Sequence, residues 1–397
     1  MESDTLKSFL KEIENELTAN ILDYWMKHAV DSDNGGFVGQ ILHDNSVVKN
    51  ANKGAVLNAR ILYSFSAAFN HYKNKIYLDF ADRAFLYFKE NFIDKEFGGV
   101  YWLLDYTGKP IDDKKQIYAN AFAIYALTEY YVATSNDDAL RLAKSIFVSI
   151  EHHSFDLHKN GYFEAYSRKW TLLGDLRLSN KDANEAKTMN THLHLLEAYT
   201  SLSKIWTDEL LQQQLENLLV IHIDKIVNKT TSHFNLFFDE NWKLKSDIIS
   251  FGHDIEGAWL MQEAALVVGN NDLIELSKQI AIEIAEITLQ EGIQADGSLI
   301  YEAHGNGKVD TDRHWWVQAE AMVGMVNAYQ NTYNEKYLQT ALNSWQFIKQ
   351  HIVSPTSEWY WSIYENYQPN LKEDKVGVWK CPYHNVRACL EVLKRLS

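Results

Sequence analysis

Gly98-Gly99-Val100-Tyr101 reads as a glycine-led turn running into a short aromatic strand, with apolar residues at helical spacing before it (76–91) and after it (118–133). The same element returns as Gly35-Gly36-Phe37, Gly161-Tyr162-Phe163, Ser232-His233-Phe234, Gly297-Ser298-Leu299 and Glu358-Trp359-Tyr360. The interval is about 63 residues from Gly36 to Gly99, Gly99 to Gly161, Phe234 to Gly297 and Gly297 to Trp359, with one longer gap near 73. About twelve amphipathic segments surround these elements, near 4–27, 53–71, 76–91, 118–133, 137–152, 190–205, 208–226, 254–268, 271–290, 315–331, 335–350 and 384–396. In the fourth, Tyr118, Phe122, Tyr125, Ala126 and Tyr130 share a stripe, while Asn190 and Asp208 stand where helix N-caps are expected.

Six helical hairpins closed into a ring account for this period. One hairpin cannot bury its apolar face alone, so neighbours must stack, and closure removes the exposed end repeats. An open solenoid is the alternative, but no polar capping repeat is visible. With no linker and no composition shift, residues 1–397 read as one all-α domain with short β-hairpin segments in its loops. A toroid of this kind has a central cavity lined by the starts of its inner helices, and functional side chains should gather there.

Composition agrees with long helices and narrows the partners. The 397 residues include only four prolines, and the net charge of −15 argues against binding nucleic acid, whose phosphates need a basic surface. Two cysteines, Cys381 and Cys389, leave no disulfide framework or Cys-rich zinc site, so a reducing compartment suits the chain. The amino-terminal stretch from Met1 mixes acids and bases and lacks a signal-peptide core, and no apolar run approaches the roughly 20 residues of a membrane span. A cytoplasmic protein, monomeric or weakly homo-oligomeric, is expected. The 13% aromatic content exceeds what a core requires and hints at a ligand with flat apolar faces.

Three of fifteen histidines, His194, His253 and His384, lie at or near predicted helix starts. The positive end of a helix disfavours imidazolium and keeps such a ring usable as a base. Any one of them could equally be a hydrogen-bonded structural residue. Glu256 follows His253 by one turn, where it could orient the ring or simply complement the helix dipole. His192 and His194 point to different helix faces and no His-Glu-x-x-His pattern occurs, so no metal or other cofactor is expected. Arg60 interrupts an apolar stripe, either to hold sugar oxygens or a developing oxyanion, or to pair with an inner acid such as Glu320. Trp315, Trp316 and Glu320 open another helix, Trp316 and Glu320 on one face, and Trp379 precedes His384 by five residues. Tryptophans at such polar junctions suit stacking on pyranose rings.

Taken together, Lys53-Gly54 through Arg60, Gln116 through Ala123, Lys187 through His194, Gly252-His253-Asp254-Ile255-Glu256-Gly257-Ala258-Trp259, Trp315 through Glu320 and Trp379-Lys380-Cys381-Pro382-Tyr383-His384 are similar to the cellobiose 2-epimerase branch of the N-acylglucosamine 2-epimerase superfamily. The resemblance spans nearly the whole chain and implies an (α/α)6 barrel. It implies that His253 and His384 are an acid/base pair assisted by His194, and that Arg60, Tyr118, Asn190 and Glu256 hold the reducing-end sugar. Trp316 and Trp379 would stack on sugar rings, with Asp182 and Glu320 close by. Position 120 is Asn where Gln or a small residue is expected.

The implied activity is reversible epimerisation at carbon 2 of the reducing-end glucose of β-1,4-linked disaccharides, cellobiose or lactose. The hydrogen on carbon 2 is acidic only after the ring opens, so the chemistry needs a base, an oxyanion donor and a route for the proton to the opposite face. Two histidines could supply that route, as could one if the intermediate rotates. Competing readings are a monosaccharide epimerase or mannose isomerase, a noncatalytic carbohydrate-binding toroid, and an inverting glycoside hydrolase using a pair from Asp182, Glu256 and Glu320.

Overall fold

The computed structural model describes residues 3–397; Met1 and Glu2, which open the amino-terminal stretch, lie outside the described residues. The first outer helix runs through α1 (Ser3–Asn15), a π segment (Glu16–Leu22) and α2 (Asp23–His28). Inner and outer helices then alternate as α3 (Ala55–Tyr72), α4 (Lys75–Tyr87), α5 (Ile117–Thr134), α6 (Asp137–His153), α7 (Met189–Ser203) and α8 (Glu209–Ile221). The second half continues with α9 (Phe251–Val268), α10 (Asn271–Ile287), α11 (Trp315–Thr332), α12 (Glu335–Phe347) and α13 (Tyr383–Leu396).

The odd-numbered helices from α3 to α13 pack each on the next, and α13 packs back on α3, so the ring is closed and the molecule is an (α/α)6 barrel. Residue choice explains the two layers. In α5, Ala119, Ala121, Ala123 and Ala126 let neighbouring backbones approach, and the helix is buried on almost every side. In α6 only the stripe Ala139, Leu142, Ala143, Ile146, Phe147 and Ile150 is buried, as expected of an outer helix.

The glycine-led element serves as a joint between layers. In each repeat a backbone N–H reaches back across the turn: Asp31 to Gly36, Asp94 to Gly99, Asp156 to Gly161, Asn228 to His233, Gln294 to Ser298 and Ser354 to Glu358. In four repeats the next residue donates its N–H to a side chain in the second turn of the following inner helix. Val100 bonds Asn120 (3.1 Å), Tyr162 bonds His192 (3.0 Å), Phe234 bonds Asp254 (2.7 Å) and Leu299 bonds Gln318 (2.9 Å). This gives Asn120 a structural task and places His192 in the same scaffold. Gly99 has φ +66°, and a Cβ there would lie 2.8 Å from Asn120 Oδ1, so only glycine fits.

Buried cations fasten the joints. Lys53, Lys115 and Lys187, each just before an inner helix, pair with Asp31, Asp94 and Asp156 at 2.7, 2.9 and 2.7 Å. Their two-residue strands pair with strands of the next repeat: Lys53–Gly54 with Leu103–Leu104, Lys115–Gln116 with Ala165–Tyr166, and Lys187–Thr188 with Phe237–Phe238. An Ile41–Val376 bridge closes the circle. The longer sequence interval falls between Gly161 and Lys187, which are 26 apart where Gly99 and Lys115 are 16 apart; the extra loop carries Asp182. No described helix is long and apolar enough to cross a membrane.

Asn120→Leu removes the side chain that receives the buried Val100 N–H. It is expected to destabilise the protein by about 1–3 kcal/mol in urea unfolding; unchanged stability would show that the joint does not bear on the fold.

Candidate active site

Arg387, on α13, lies at the centre of the barrel with 1% of its surface exposed. Its Nη2 donates to Glu320 of α11 (2.6 Å) and to Glu256 of α9, and its Nη1 donates to Glu197 of α7. One guanidinium therefore ties four inner helices. Two of these carboxylates carry histidines: Glu320 bonds His384 Nδ1 at 2.7 Å and Glu197 bonds His194 Nδ1 at 2.9 Å. Tyr383 donates to Glu197 at 2.6 Å, and Trp259 donates to Glu320 at 3.2 Å.

Glu256, which the spacing allowed to orient His253, is turned to Arg387 instead. His253 Nδ1 is held by Ser250 Oγ at 2.8 Å. The i,i+3 spacing placed the acid one turn away, but a buried arginine from another helix is the stronger partner. Arg60 does not pair with Glu320, the salt bridge that was its structural alternative. It is 3% exposed and bonds Tyr118 Oη (2.8 Å) and Cys381 Sγ (3.8 Å), while Glu320 is taken by Arg387 and His384. Its guanidinium carbon lies 4.1 Å from the centre of the Phe122 ring and 4.7 Å from that of Tyr383. Aromatic faces and a sulfur thus cradle a charge with no carboxylate among the described residues in hydrogen-bond contact, which leaves its field available to a ligand anion.

The histidines share one space. Burial, then His194 and Arg60 beside it, hold His253 down to about 3. Burial, Arg60 and Arg387 hold His384 well below the usual imidazole range. Burial, with Glu320 adjacent, raises Glu256 to about 7 against the pull of Arg387. Burial would also raise Glu197, but Arg387 and His194 overcome it and bring the acid down to about 2. Helix ends contribute unequally: His253 lies in the first turn of α9, whereas His194 is a turn further into α7, beyond the reach of the dipole.

Trp316 is half-buried, its ring 4.8 Å from His253 and 5.5 Å from His384. A pyranose on that face would meet both imidazoles. Trp315 is only 3% exposed, packed on Trp361 (4.7 Å) with Lys380 5.1 Å from its ring centre, and so backs the wall behind His384. Half-buried Trp379 lies 6.0 Å from Tyr118 and 5.8 Å from Trp102. Asn190 is not the N-cap of α7; Thr188 is, accepting from Thr191. Asn190 falls in the first turn with Oδ1 buried and unpaired by protein, as are Arg60 Nε and Glu256 Oε2. Asp182 sits where its charge acts on Tyr301 and Glu302, and Tyr301 lies edge-on 6.3 Å from Trp316.

The sequence reading missed Arg387, Glu197, Tyr383, Ser250 and Trp102. A signal existed for two of them: Glu197 follows His194, and Arg387 follows His384, by the same three residues that drew attention to Glu256. Ligand atoms of Glu256, Glu320 and His384 lie within 4.8 Å of one another, a set able to hold a metal ion, but Arg387 already supplies the positive charge among the two carboxylates. The same closeness places Glu256 and Glu320 below the about 6.5–9.5 Å of an inverting hydrolase pair.

The model of the family described as N-acylglucosamine 2-epimerase matches residues 35–388, and the chain belongs to that family. It is 48% identical over 385 residues to the cellobiose 2-epimerase of Bacteroides fragilis, covering 96% of this chain and 98% of that one. The cellobiose 2-epimerase of Dictyoglomus turgidum is 40% identical over 395 residues, covering 98% and 100%. The structure of cellobiose 2-epimerase from Bacillus thermoamylovorans superposes with a TM-score of 0.95 at 42% identity, covering 98% and 100%.

Arg387→Met would leave three buried carboxylates without their shared cation. A loss of about 3–5 kcal/mol in urea unfolding is expected; a loss below about 1 kcal/mol, the range of an exposed pair, would contradict the central role given to this residue.

Proposed function

We propose that the protein is a cellobiose 2-epimerase, interconverting glucose and mannose at the reducing end of β-1,4-linked disaccharides such as cellobiose and lactose. The observation that carries this reading is the placement of His253 and His384 against the ring of Trp316, with the charge of Arg60 acting on both imidazoles. The relatives' names support the disaccharide, and Trp379 beside Trp102 offers a platform for its second ring.

In this mechanism the sugar opens, so carbon 1 becomes a carbonyl and the carbon 2 hydrogen becomes acidic. One neutral imidazole takes that proton, and the electron pair enters a cis-enediolate whose oxygen faces Arg60. A proton returned to the opposite face gives the epimer, and one returned to the same face regenerates substrate. His384 rests on Glu320, which accepts from Nδ1–H and leaves Nε2 as the base. His194, held by Glu197, assists proton movement between sugar oxygens. Tyr118, Asn190 and Glu256 hold hydroxyls, and Asp182 and Glu320 support the pocket. The reaction removes hydrogen as a proton and asks for no redox cofactor. We further read residues 1–397 as one catalytic unit, monomeric or weakly self-associating. The buried free thiols Cys381 and Cys389 suit a reducing cytoplasm.

Given cellobiose, the protein should form a disaccharide with a mannose reducing end, resolved by chromatography, and no free glucose; release of glucose would contradict the reading. His253→Ala and His384→Ala should each lower kcat by at least about 100-fold while cellobiose still binds by calorimetry, and full activity in either would sink the assignment. Trp379→Ala should weaken cellobiose far more than monosaccharides, whereas equal losses would remove the second platform.

The pH dependence follows from the histidines' lowered values. A base held below its ordinary 6.5 stays neutral as pH falls past 6.5, so in Glu256→Gln, which removes the carboxyl raised to about 7, kcat/KM should hold level from pH 8 through 6.5 and decline only below it. An acid limb at or above 6.5 in that variant would contradict the environment described for His253 and His384.

A further inference from the structure

Ser250 occupies the N-cap of α9 but makes no side-chain cap bond. A serine there ordinarily accepts an N–H from the first turn, as Thr188 does at the start of α7. The Ser250 hydroxyl, on a fully buried residue, is turned to His253 Nδ1. The fourth repeat also departs from its neighbours one residue earlier, where Ile249 stands in place of Lys53, Lys115, Lys187 and Arg313. Its joint is fastened by His233, which bonds Asp254 (2.7 Å) and Glu291 (3.1 Å), while Asp254 also receives the Phe234 N–H. The start of α9 is thereby anchored without Ser250, whose hydroxyl is free to serve the imidazole.

The three central histidines are held by different chemistry. Glu320 and Glu197, as carboxylates, only accept, so they fix His384 and His194 with hydrogen on Nδ1. A hydroxyl both accepts and donates. We propose that Ser250 is a positioning residue that supports both neutral tautomers of His253, so that this imidazole alone of the three can present either an Nε2–H or an Nε2 lone pair to the sugar.

The inference rests on the epimerase reading for its use. With Ser250 donating to Nδ1, His253 Nε2–H hydrogen-bonds a sugar oxygen. With Ser250 accepting from Nδ1–H, the Nε2 lone pair takes the carbon 2 proton. The C–H bond breaks, its electron pair stays on the sugar as enediolate, and the imidazolium keeps Nδ1–H on Ser250. Return of the Nε2 proton to carbon 2 restores the neutral ring.

The direct test is ¹⁵N NMR of histidine-labelled, substrate-free protein. His384 and His194 should show the Nδ1–H pattern and His253 shifts averaged between tautomers, and in Ser250→Ala the two His253 nitrogens should move to a single tautomer while His384 stays unchanged. A wild-type His253 fixed in the Nδ1–H form, or His253 shifts unmoved in Ser250→Ala, would overturn the proposal. This arm needs no turnover, so a wild-type protein that leaves cellobiose untouched but shows these tautomers would defeat the functional reading alone. In turnover, Ser250→Ala should lower kcat about tenfold, the scale of one hydrogen bond to a charged group, with KM within about twofold. Ser250→Thr, which keeps the hydroxyl, should recover most of that loss. A Ser250→Ala kcat equal to wild type, or a Ser250→Thr variant as slow as Ser250→Ala, would also count against it.

Discussion

One buried guanidinium sets the geometry of this barrel's centre. A ring of six inner helices has an axis that side chains must fill, and here the filling is ionic: Arg387 of α13 gathers Glu197, Glu256 and Glu320 from α7, α9 and α11. Taking such groups out of water is costly, and the attraction between them repays the cost only when each hydrogen bond is made. The arrangement therefore contributes less to net stability than to specificity. It joins four helices at one point and holds His194 and His384 on Nδ1 bonds to two of its carboxylates.

The other two inner helices supply a contrasting charge. Arg60 of α3 bonds Tyr118 of α5 and lies against Phe122 and Tyr383, so aromatic rings do for it what carboxylates do for Arg387. Tyr383 connects the two by donating to Glu197 while flanking both guanidiniums, 4.7 Å from Arg60 and 4.3 Å from Arg387. One arginine is matched by carboxylates; the other lies among aromatic rings, its charge acting on His253 and His384. An enediolate needs the second kind, because a donor already matched to a carboxylate has little left for a developing oxyanion.

Much of the fold was legible in the sequence because its signals are local. Glycine-led turns recur at a fixed interval, and apolar spacing distinguishes helices from the joints between them. Asp208 is the cap of α8, as its position promised, whereas Asn190 lost that place to Thr188, another capping residue two positions earlier. The site was legible as a set of residues but not as a set of partners. Neighbours on one helix can be read from spacing, as for Trp316 and Glu320, but choices among helices cannot. Glu256 went to Arg387, leaving His253 to Ser250, and Glu320 went to His384 and Arg387 instead of Arg60. These choices are decided by which charges meet at the axis, and only the closed ring shows that. The extra loop bearing Asp182 was visible as a long interval, but its closeness to Tyr301 and Glu302 of another repeat was not.

The central claim is that this ionic centre presents neutral imidazoles to carbon 2 of an opened sugar. Proton NMR of cellobiose with the protein in D₂O tests it most directly. The account predicts an intact disaccharide with a mannose reducing end carrying deuterium at carbon 2. Epimer that still carries only the original hydrogen at carbon 2 after many turnovers, when repeated transfer through an exchangeable imidazole must have brought in deuterium, would contradict it.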